Sequence, residues 1–301
     1  MLNRRHVLGV LSAAASGAAW AQEWPTKAVR IVVPFGAGGI ADLTARAVGE
    51  ALSSRIGQPV IIDNKPGAGG VSGGEVVAHA EADGHTLLLV SNGTAVSAGL
   101  FKHLPFDAQR DFAPVSLIGV FEIAILVPAN SPLTSLAGLA AATKAKPGKL
   151  NIATVNVGST QNLAAELLKT AAGIDAQVVP FNGTPAVVTA LRGGQVDAAV
   201  EILGPVKSQV TAGALRVIGT MAQFGVSSWN GLAAPGKTPA GVVGNINRDL
   251  QAVLALPAVR HKLAALDVEA RGSTPQQLRD LLASETRRWR EVIARAGIAK
   301  L

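Results

Sequence analysis

The stretch Ala28-Val29-Arg30-Ile31-Val32-Val33-Pro34-Phe35-Gly36-Ala37-Gly38-Gly39-Ile40-Ala41-Asp42 decides how the chain reads. The β-branched run over 28–33 predicts a strand, and Gly36 to Gly39 predicts a loop. From Asp42 to Ile56 the apolar residues recur at helical spacing, with Asp42 placed to cap the start. The order then repeats. Pro59 to Ile62 is strand-like, Asn64 to Gly70 is a second glycine-rich loop, and Val71 to Ala80 reads as a helix. Thr86 to Val90 is a further apolar strand, ending at Ser91-Asn92-Gly93-Thr94. Strand, glycine loop and helix in repetition predict an α/β fold with a mostly parallel sheet covered on both faces.

The middle of the chain follows suit. Val115 to Val127 reads as extended chain, and Leu133 to Ala145 as a helix stopped by Pro147-Gly148. Strands at Leu150 to Val155, Ala176 to Pro180, Val196 to Ile202 and Leu215 to Thr220 alternate with helices opened at Gly158-Ser159-Thr160 and Asn182-Gly183-Thr184-Pro185. After Trp229 the pattern turns helical: Ala240 to Leu256, Ala258 to Leu266 and Pro275 to Ala296. Those segments offer too few strands for a domain of their own, so they are expected to pack back on the first half.

The 301 residues are 49% apolar and 16% charged, which suits one large domain or two modest ones. The absence of cysteine excludes disulfides, thiolate metal sites, a Cys nucleophile and a lipid-anchoring cysteine. Met1 to Ala21 carries Arg4-Arg5, an apolar run and the ending Ala19-Trp20-Ala21, the pattern of an export signal cleaved before Gln22. The general secretory route is expected over the twin-arginine route. The segment holds two of the 27 basic residues and none of the 20 acidic ones, so the remainder carries +5. That charge is dispersed apart from Arg287, Arg288, Arg290 and Arg295, which suit a helix C-terminus. No basic patch interleaved with aromatics points to nucleic acid.

Two motifs suggest enzymes. Gly36-Ala37-Gly38-Gly39-Ile40-Ala41 fits the dinucleotide pattern G-x-G-x-x-[G/A], with Asp63 ending the next strand. Against it, Asp42 puts a carboxylate where a pyrophosphate would sit. Gly70-Val71-Ser72-Gly73-Gly74 matches G-x-S-x-G but lacks the strand that must precede a nucleophile elbow, and His79, His85, His103 and His261 read as surface or loop residues. No His/Asp/Glu spacing suggests a metal. What the sequence does offer is a series of loop-to-helix junctions rich in Gly, Ser, Thr and Asn. In a parallel sheet these gather at the carboxyl edge, where free N–H groups and hydroxyls hold anions without a buried cation.

Pro34-Phe35-Gly36-Ala37-Gly38-Gly39 with Asp42 and Ala45-Arg46 resembles the tripartite tricarboxylate transporter substrate-binding proteins, the TctC or Bug family. The likeness continues through Asn64 to Gly70, Ser91 to Thr94, Leu104 to Asp107, Asp111 to Val115, Gly158-Ser159-Thr160, Gly193 to Asp197 and Trp229 to Leu232 with Ala234-Pro235. The resemblance implies a two-lobed periplasmic binding protein, type II-like, that closes over a small organic acid and uses no cofactor. It implies lobe 1 from 22–103 plus 226–301, lobe 2 from 104–225, a monomeric state, and delivery to a membrane permease of the tripartite tricarboxylate type. Carried over residue by residue, the ligand-binding set is Phe35, Gly36, Gly38, Gly39, Asp42, Ala68, Gly69, Gly70, Ser91 and Thr94, with Ser159, Thr160, Asn182, Gly183 and Asp197 opposite. For Asp42 and Asp197 the structural role, tying the local loop, competes with ligand contact. The chain departs from the family pattern at Asn162, where His is common, and at Phe181, where Tyr is usual. It also has only Met221 to Gly225 in place of a longer Pro-containing crossover.

Overall fold

The computed structural model describes residues 24–295 and 297–301. The export signal read at 1–21 lies outside them. Two sheets organise the chain. The first contains β1 (Val29–Val33), β2 (Val60–Asn64), β3 (Thr86–Ser91), β4 (Phe112–Phe121), β10 (Ser228–Pro235) and β11 (Val268–Ala270), in the order β11-β4-β10-β3-β1-β2. The second contains β5 (Ile123–Pro128), β6 (Leu150–Val155), β7 (Ala176–Phe181), β8 (Ala198–Ile202) and β9 (Leu215–Thr220), in the order β7-β6-β8-β5-β9.

The two α/β lobes stand as read, but each sheet is mixed rather than mostly parallel. β1 pairs in parallel with β2 and β3, and β6 with β7 and β8. The strands nearest the crossovers run against them: β10 against β3 and β4, and β5 against β8 and β9. A crossover strand must enter its sheet from the neighbouring lobe, and that reverses its direction.

The expected single extended segment 115–127 is two strands split at Glu122, one in each sheet. Phe112–Phe121 therefore belongs to the first sheet, although the sequence reading opened lobe 2 at 104. The preceding loop agrees, since the Phe106 ring packs 5.1 Å from that of Phe112 and lies against Gly74. The return crossover is a tight 3-10 turn over Met221–Phe224 ended by Gly225 at φ 67. Met221 is buried, and the Arg288 guanidinium donates to the Gly225 and Phe224 carbonyls at 2.7 and 3.2 Å. The short crossover is thus pinned to the C-terminal helix.

The helices fall on both faces of each sheet. On the first sheet these are α1 (Ile40–Ile56), α2 (Val71–Ala78), α3 (Asn92–Leu100), α8 (Ala240–Ala255), α9 (Pro257–Ala265) and α10 (Pro275–Arg295). The second carries α4 (Leu136–Ala145), α5 (Thr160–Ala172), α6 (Thr184–Arg192) and α7 (Leu203–Thr211). Period-two alternation sorts the side chains of lobe 2. Ile123, Ile125, Val127, Ile152 and Val200 meet Leu139 of α4 and Leu163 and Leu168 of α5. Ala124, Leu126, Ala153 and Ala199 meet Val187 and Leu191 of α6 and Val206 of α7. As expected, the C-terminal helices return to the first lobe, where α10 lies on α3 and β4 and α8 on α1 and β4.

Candidate functional site

The glycine-rich junctions sit where β1, β2, β3, β6, β7 and β8 end, at the carboxyl edges of the two sheets. They converge. A Cβ on Gly93 would stand 3.1 Å from the Phe35 ring and 3.6 Å from the Gly69 carbonyl oxygen. A Cβ on Gly69 would stand 3.8 Å from the carbonyl oxygen of Gly158, which belongs to the other lobe. The second loop of lobe 1 therefore reaches the loop before α5 of lobe 2, with the α3 start packed behind it and the Phe35 ring of the first loop against Gly93. Two shallow hollows, lined by Gly204, Lys207, Ser208, Thr211, Ala212 and Ala265 and by Glu166 to Asp175, lie outside this junction.

Within the first loop the strain-bearing residue is Gly38, at φ 81. Its N–H donates to Asp42 Oδ2 at 2.9 Å. Asp42 is not the N-cap, a place held by Gly39; it reaches back from the third helical position. Its side chain is buried, ion-paired with Arg46 at 2.9 Å, and Arg46 in turn donates to Asn64 Oδ1 at 3.2 Å. Asn64 Nδ2 donates to the Phe35 carbonyl at 3.1 Å, which closes the brace between the first loop and β2. Burial pulls the Asp42 carboxyl up, but the bonds from Arg46, the Gly38 N–H and Asn64 outweigh it and hold it below its ordinary 3.8. The folded state therefore favours the anion. That stabilisation is present above the unfolded carboxylate range and is lost as pH falls through the lower folded value. Asp42→Ala is expected to cost about 2 kcal/mol at pH 7, from lost charge-assisted bonds. In urea unfolding between pH 2 and 7, the variant should also show a shallower acid limb than the native chain.

Several nominated amides are already used. The Gly70 N–H donates to the Gly67 carbonyl at 2.9 Å, and the Gly183 N–H to that of Phe181 at 3.0 Å. Ser91 and Thr94 form a capping box on α3: Ser91 Oγ accepts from the Gly93 N–H at 3.1 Å and Thr94 Oγ1 from the Ser91 N–H at 3.3 Å. Both hydroxyls are buried and keep their own protons to donate. Ser159 caps α5 by accepting from the Asn162 N–H at 3.1 Å, while its hydroxyl donates to the Val155 carbonyl at 2.7 Å. Asn162 also organises this loop. It accepts from the Gly158 N–H at 3.2 Å and donates to Thr154 Oγ1 at 3.2 Å. The N–H groups of Gly36, Gly39, Ile40 and Ala41 on lobe 1, and of Thr160 and Gln161 on lobe 2, take no partner among the described residues. Ala68 contributes backbone to the turn Ala68–Gly70. Asn182 is exposed and makes no hydrogen bond among the described residues.

Asp197 stands apart from the rest. It precedes β8, at the amino end of that strand, and its carboxylate accepts from the Asn151 N–H at 2.8 Å at the start of β6. A parallel strand separates it from the junction, so its loop-tying role is the one its geometry performs. His85, read as a surface or loop residue, is buried instead, accepting from the Thr26 N–H at 3.0 Å and facing Asp83 at 3.2 Å.

Sequence reading missed Glu201. It is the penultimate residue of β8, fully buried, with Oε1 accepting from Gln161 Nε2 and from the Ile202 N–H, both at 2.8 Å. Oε2 has no partner among the described residues. Burial pushes its carboxyl above the ordinary range, against the pull of Gln161, the Ile202 N–H and Thr184. The available signal was one acid inside Ala198-Ala199-Val200-Glu201-Ile202, where every neighbour is apolar.

The dinucleotide reading finds no support in this geometry. The Gly38 N–H is committed to Asp42, and Asp63, the residue a ribose would need, is ion-paired with Arg30 and Lys65. Among the described residues no group of three or more His, Asp or Glu has metal-site geometry.

Two α/β lobes joined by two short crossovers, with helix starts meeting at the seam, define a two-lobed solute-binding protein. The model of the tripartite tricarboxylate transporter family receptor matches residues 44–224 and 221–298, and the chain belongs to that family. BugT of Bordetella pertussis is 32% identical over 318 residues, covering 98% of this chain and 97% of BugT. A Rhodopseudomonas palustris protein solved with adipate is 30% identical with a TM-score of 0.85, covering 93% of this chain and all of that one. MatC from Rhodopseudomonas palustris with bound malate is 29% identical with a TM-score of 0.81, covering 90% of this chain and all of MatC.

Proposed function

We propose that the chain captures a small carboxylate-bearing compound between its lobes in the periplasm and hands it to a membrane permease of the tripartite tricarboxylate type. In this reading it acts as a monomer, is exported through Met1 to Ala21 by the general secretory route, and performs no chemistry on the ligand. The observation that carries the proposal is the approach of the second loop, at Gly69, to Gly158 before α5, which sets the unpaired N–H groups of Thr160 and Gln161 on the same seam as α3 and its donor hydroxyls Ser91 and Thr94. Such groups hold an anion without a buried cation. A ligand touching both lobes shifts the population toward the closed form, because those contacts exist only there.

The test is a thermal-shift screen of the mature chain against monocarboxylates, dicarboxylates, amino acids, aromatic acids and NAD. A ligand at 100 times its Kd stabilises by about 2.7 kcal/mol, which for a chain of this size raises Tm by about 5–10 °C. At least one acid is expected to do so, with no response to NAD. A shift with NAD alone, or none with any acid, would remove the proposal.

A further inference from the structure

We propose that Glu201 reads the end of the ligand remote from its carboxylate, and that the ligand class is an aminocarboxylate. This rests on the carrier reading above and narrows it. Glu201 stands at the carboxyl edge of lobe 2, between the start of α5, which supplies Gln161, and the start of α6, where Thr184 lies close enough to act on it. Its two oxygens are treated unequally. Oε1 is held by two donors, which fix the side chain's orientation, whereas Oε2 is buried and makes no hydrogen bond among the described residues, with the Thr184 hydroxyl the neighbouring donor that acts on the carboxyl. No Lys, Arg or His forms an ion pair with it among the described residues, although 14 such pairs occur elsewhere.

Burial drives this carboxyl toward its neutral form, and a buried carboxylate persists when an opposite charge and hydrogen bonds accompany it. An ammonium group supplies both the donor and the charge. A hydrocarbon tail supplies neither, and a second carboxylate adds like charge. The N–H groups free on lobe 1, at Gly36, Gly39, Ile40 and Ala41, suit the opposite end of the same molecule. Free donors on lobe 1 and, on lobe 2, a bare acceptor beside the free Thr160 and Gln161 N–H groups offer places for both poles of a zwitterion, which makes the ligand itself the counter-ion that completes the closed form.

The experiment is calorimetric titration of the mature chain and of Glu201→Gln with three matched series. These are amino acids (α- and ω-amino, two to six carbons), the corresponding diacids, and the unsubstituted monoacids. The native chain is expected to bind one or more amino acids at least 30-fold more tightly than the diacid and monoacid of equal length. Glu201→Gln, near-isosteric, should bring that ratio to within a few-fold by weakening the amino acid about 30-fold or more. Should the glutamine variant fail to fold, Glu201→Asp keeps the charge but withdraws it by a methylene, and should lower the ratio in the same direction. Diacids or monoacids binding best, or amino acids bound equally by both variants, would overturn the assignment while leaving the carrier reading intact. If no acid of any series binds the native chain, the carrier reading itself falls, and this inference with it.

Discussion

Gly204→Val is expected to weaken ligand binding by about 100-fold or more while both lobes stay folded. Gly204 is the second residue of α7 in lobe 2, and a Cβ there would fall 2.0 Å from the Leu266 carbonyl oxygen of lobe 1 and 3.5 Å from Ile40 Cδ1. The first contact is with backbone. Leu266 is held in the turn after α9, its N–H donating to the Leu263 carbonyl at 2.9 Å, so its oxygen cannot swing aside as a side chain would. A nonbonded carbon and oxygen need more than 3 Å, so the lobes must part at this seam by over an ångström. The neighbouring ion pair from Lys207 to Asp267 across the same seam would be strained or broken. An arrangement with the lobes parted at this seam would relieve the clash, so the cost falls on the arrangement in which α7 touches Leu266. The closed form is the one penalised, and affinity falls with its population. Titration with whichever acid binds the native chain measures the loss. Small-angle scattering should show that saturating ligand contracts the native chain and not the variant. Native affinity in Gly204→Val would mean that the seam contact is irrelevant to capture.

Trp289→Ala is expected to cost about 3–5 kcal/mol of folding free energy, the range for emptying a buried aromatic site. The ring is fully buried, and its Nε1 donates to Glu285 Oε2 at 2.9 Å one helical turn earlier. Together with Leu278, Leu282, Val292 and Ile293 it forms the apolar stripe by which α10 seats on the first lobe. The seating is close. A Cβ on Gly99 of α3 would lie 2.9 Å from Arg290 Cγ and 3.3 Å from Arg290 Cα, so the helix backbones approach at a glycine. Helix α3 opens with the Ser91 and Thr94 caps, and α10 also pins the return crossover through Arg288. A cavity at residue 289 therefore loosens one wall of the binding junction as well as the core. Urea unfolding should give the stated loss, with ligand affinity falling alongside it. A loss below 1 kcal/mol would show that α10 contributes little to the lobe.

Much of this was legible in the residues. The runs Val29 to Val33, Thr86 to Val90 and Leu150 to Val155 announce buried strands, and the glycine loops after them announce a binding edge. Strand direction was not legible, because period-two patterning is the same in either sense, and so the mixed sheets were missed. The split at Glu122 was hidden for a similar reason: both strands flanking it are buried and apolar, and only their partners differ. β10 escaped notice because Ser228-Trp229-Asn230-Gly231-Leu232-Ala233-Ala234-Pro235 lacks the β-branched residues that mark a strand. In the site, the sequence could name loops but not count free donors. Whether Gly38 or Gly70 has an amide to offer depends on where Asp42 and the Gly67 carbonyl point. For Asp197 the sequence left loop-tying and ligand contact open, and the choice depends on the pairing of β6 with β8, which sets it at the amino edge of the sheet on the Asn151 N–H.

The way the second sheet is threaded has a practical corollary. Ala124 sits beside Thr220, and Phe121 beside Ser228, as strand partners. Everything from 123 to 220 thus leaves and re-enters the first lobe through one doorway, like a pendant on a clasp. Cut at the clasp, the pendant keeps all five of its strands and both of its helical layers, while the parent's cut ends already lie side by side and can be spliced with a few residues. Such a fold invites exchange: the pendant lobe, with its share of the binding seam, can be swapped between relatives without rethreading the other.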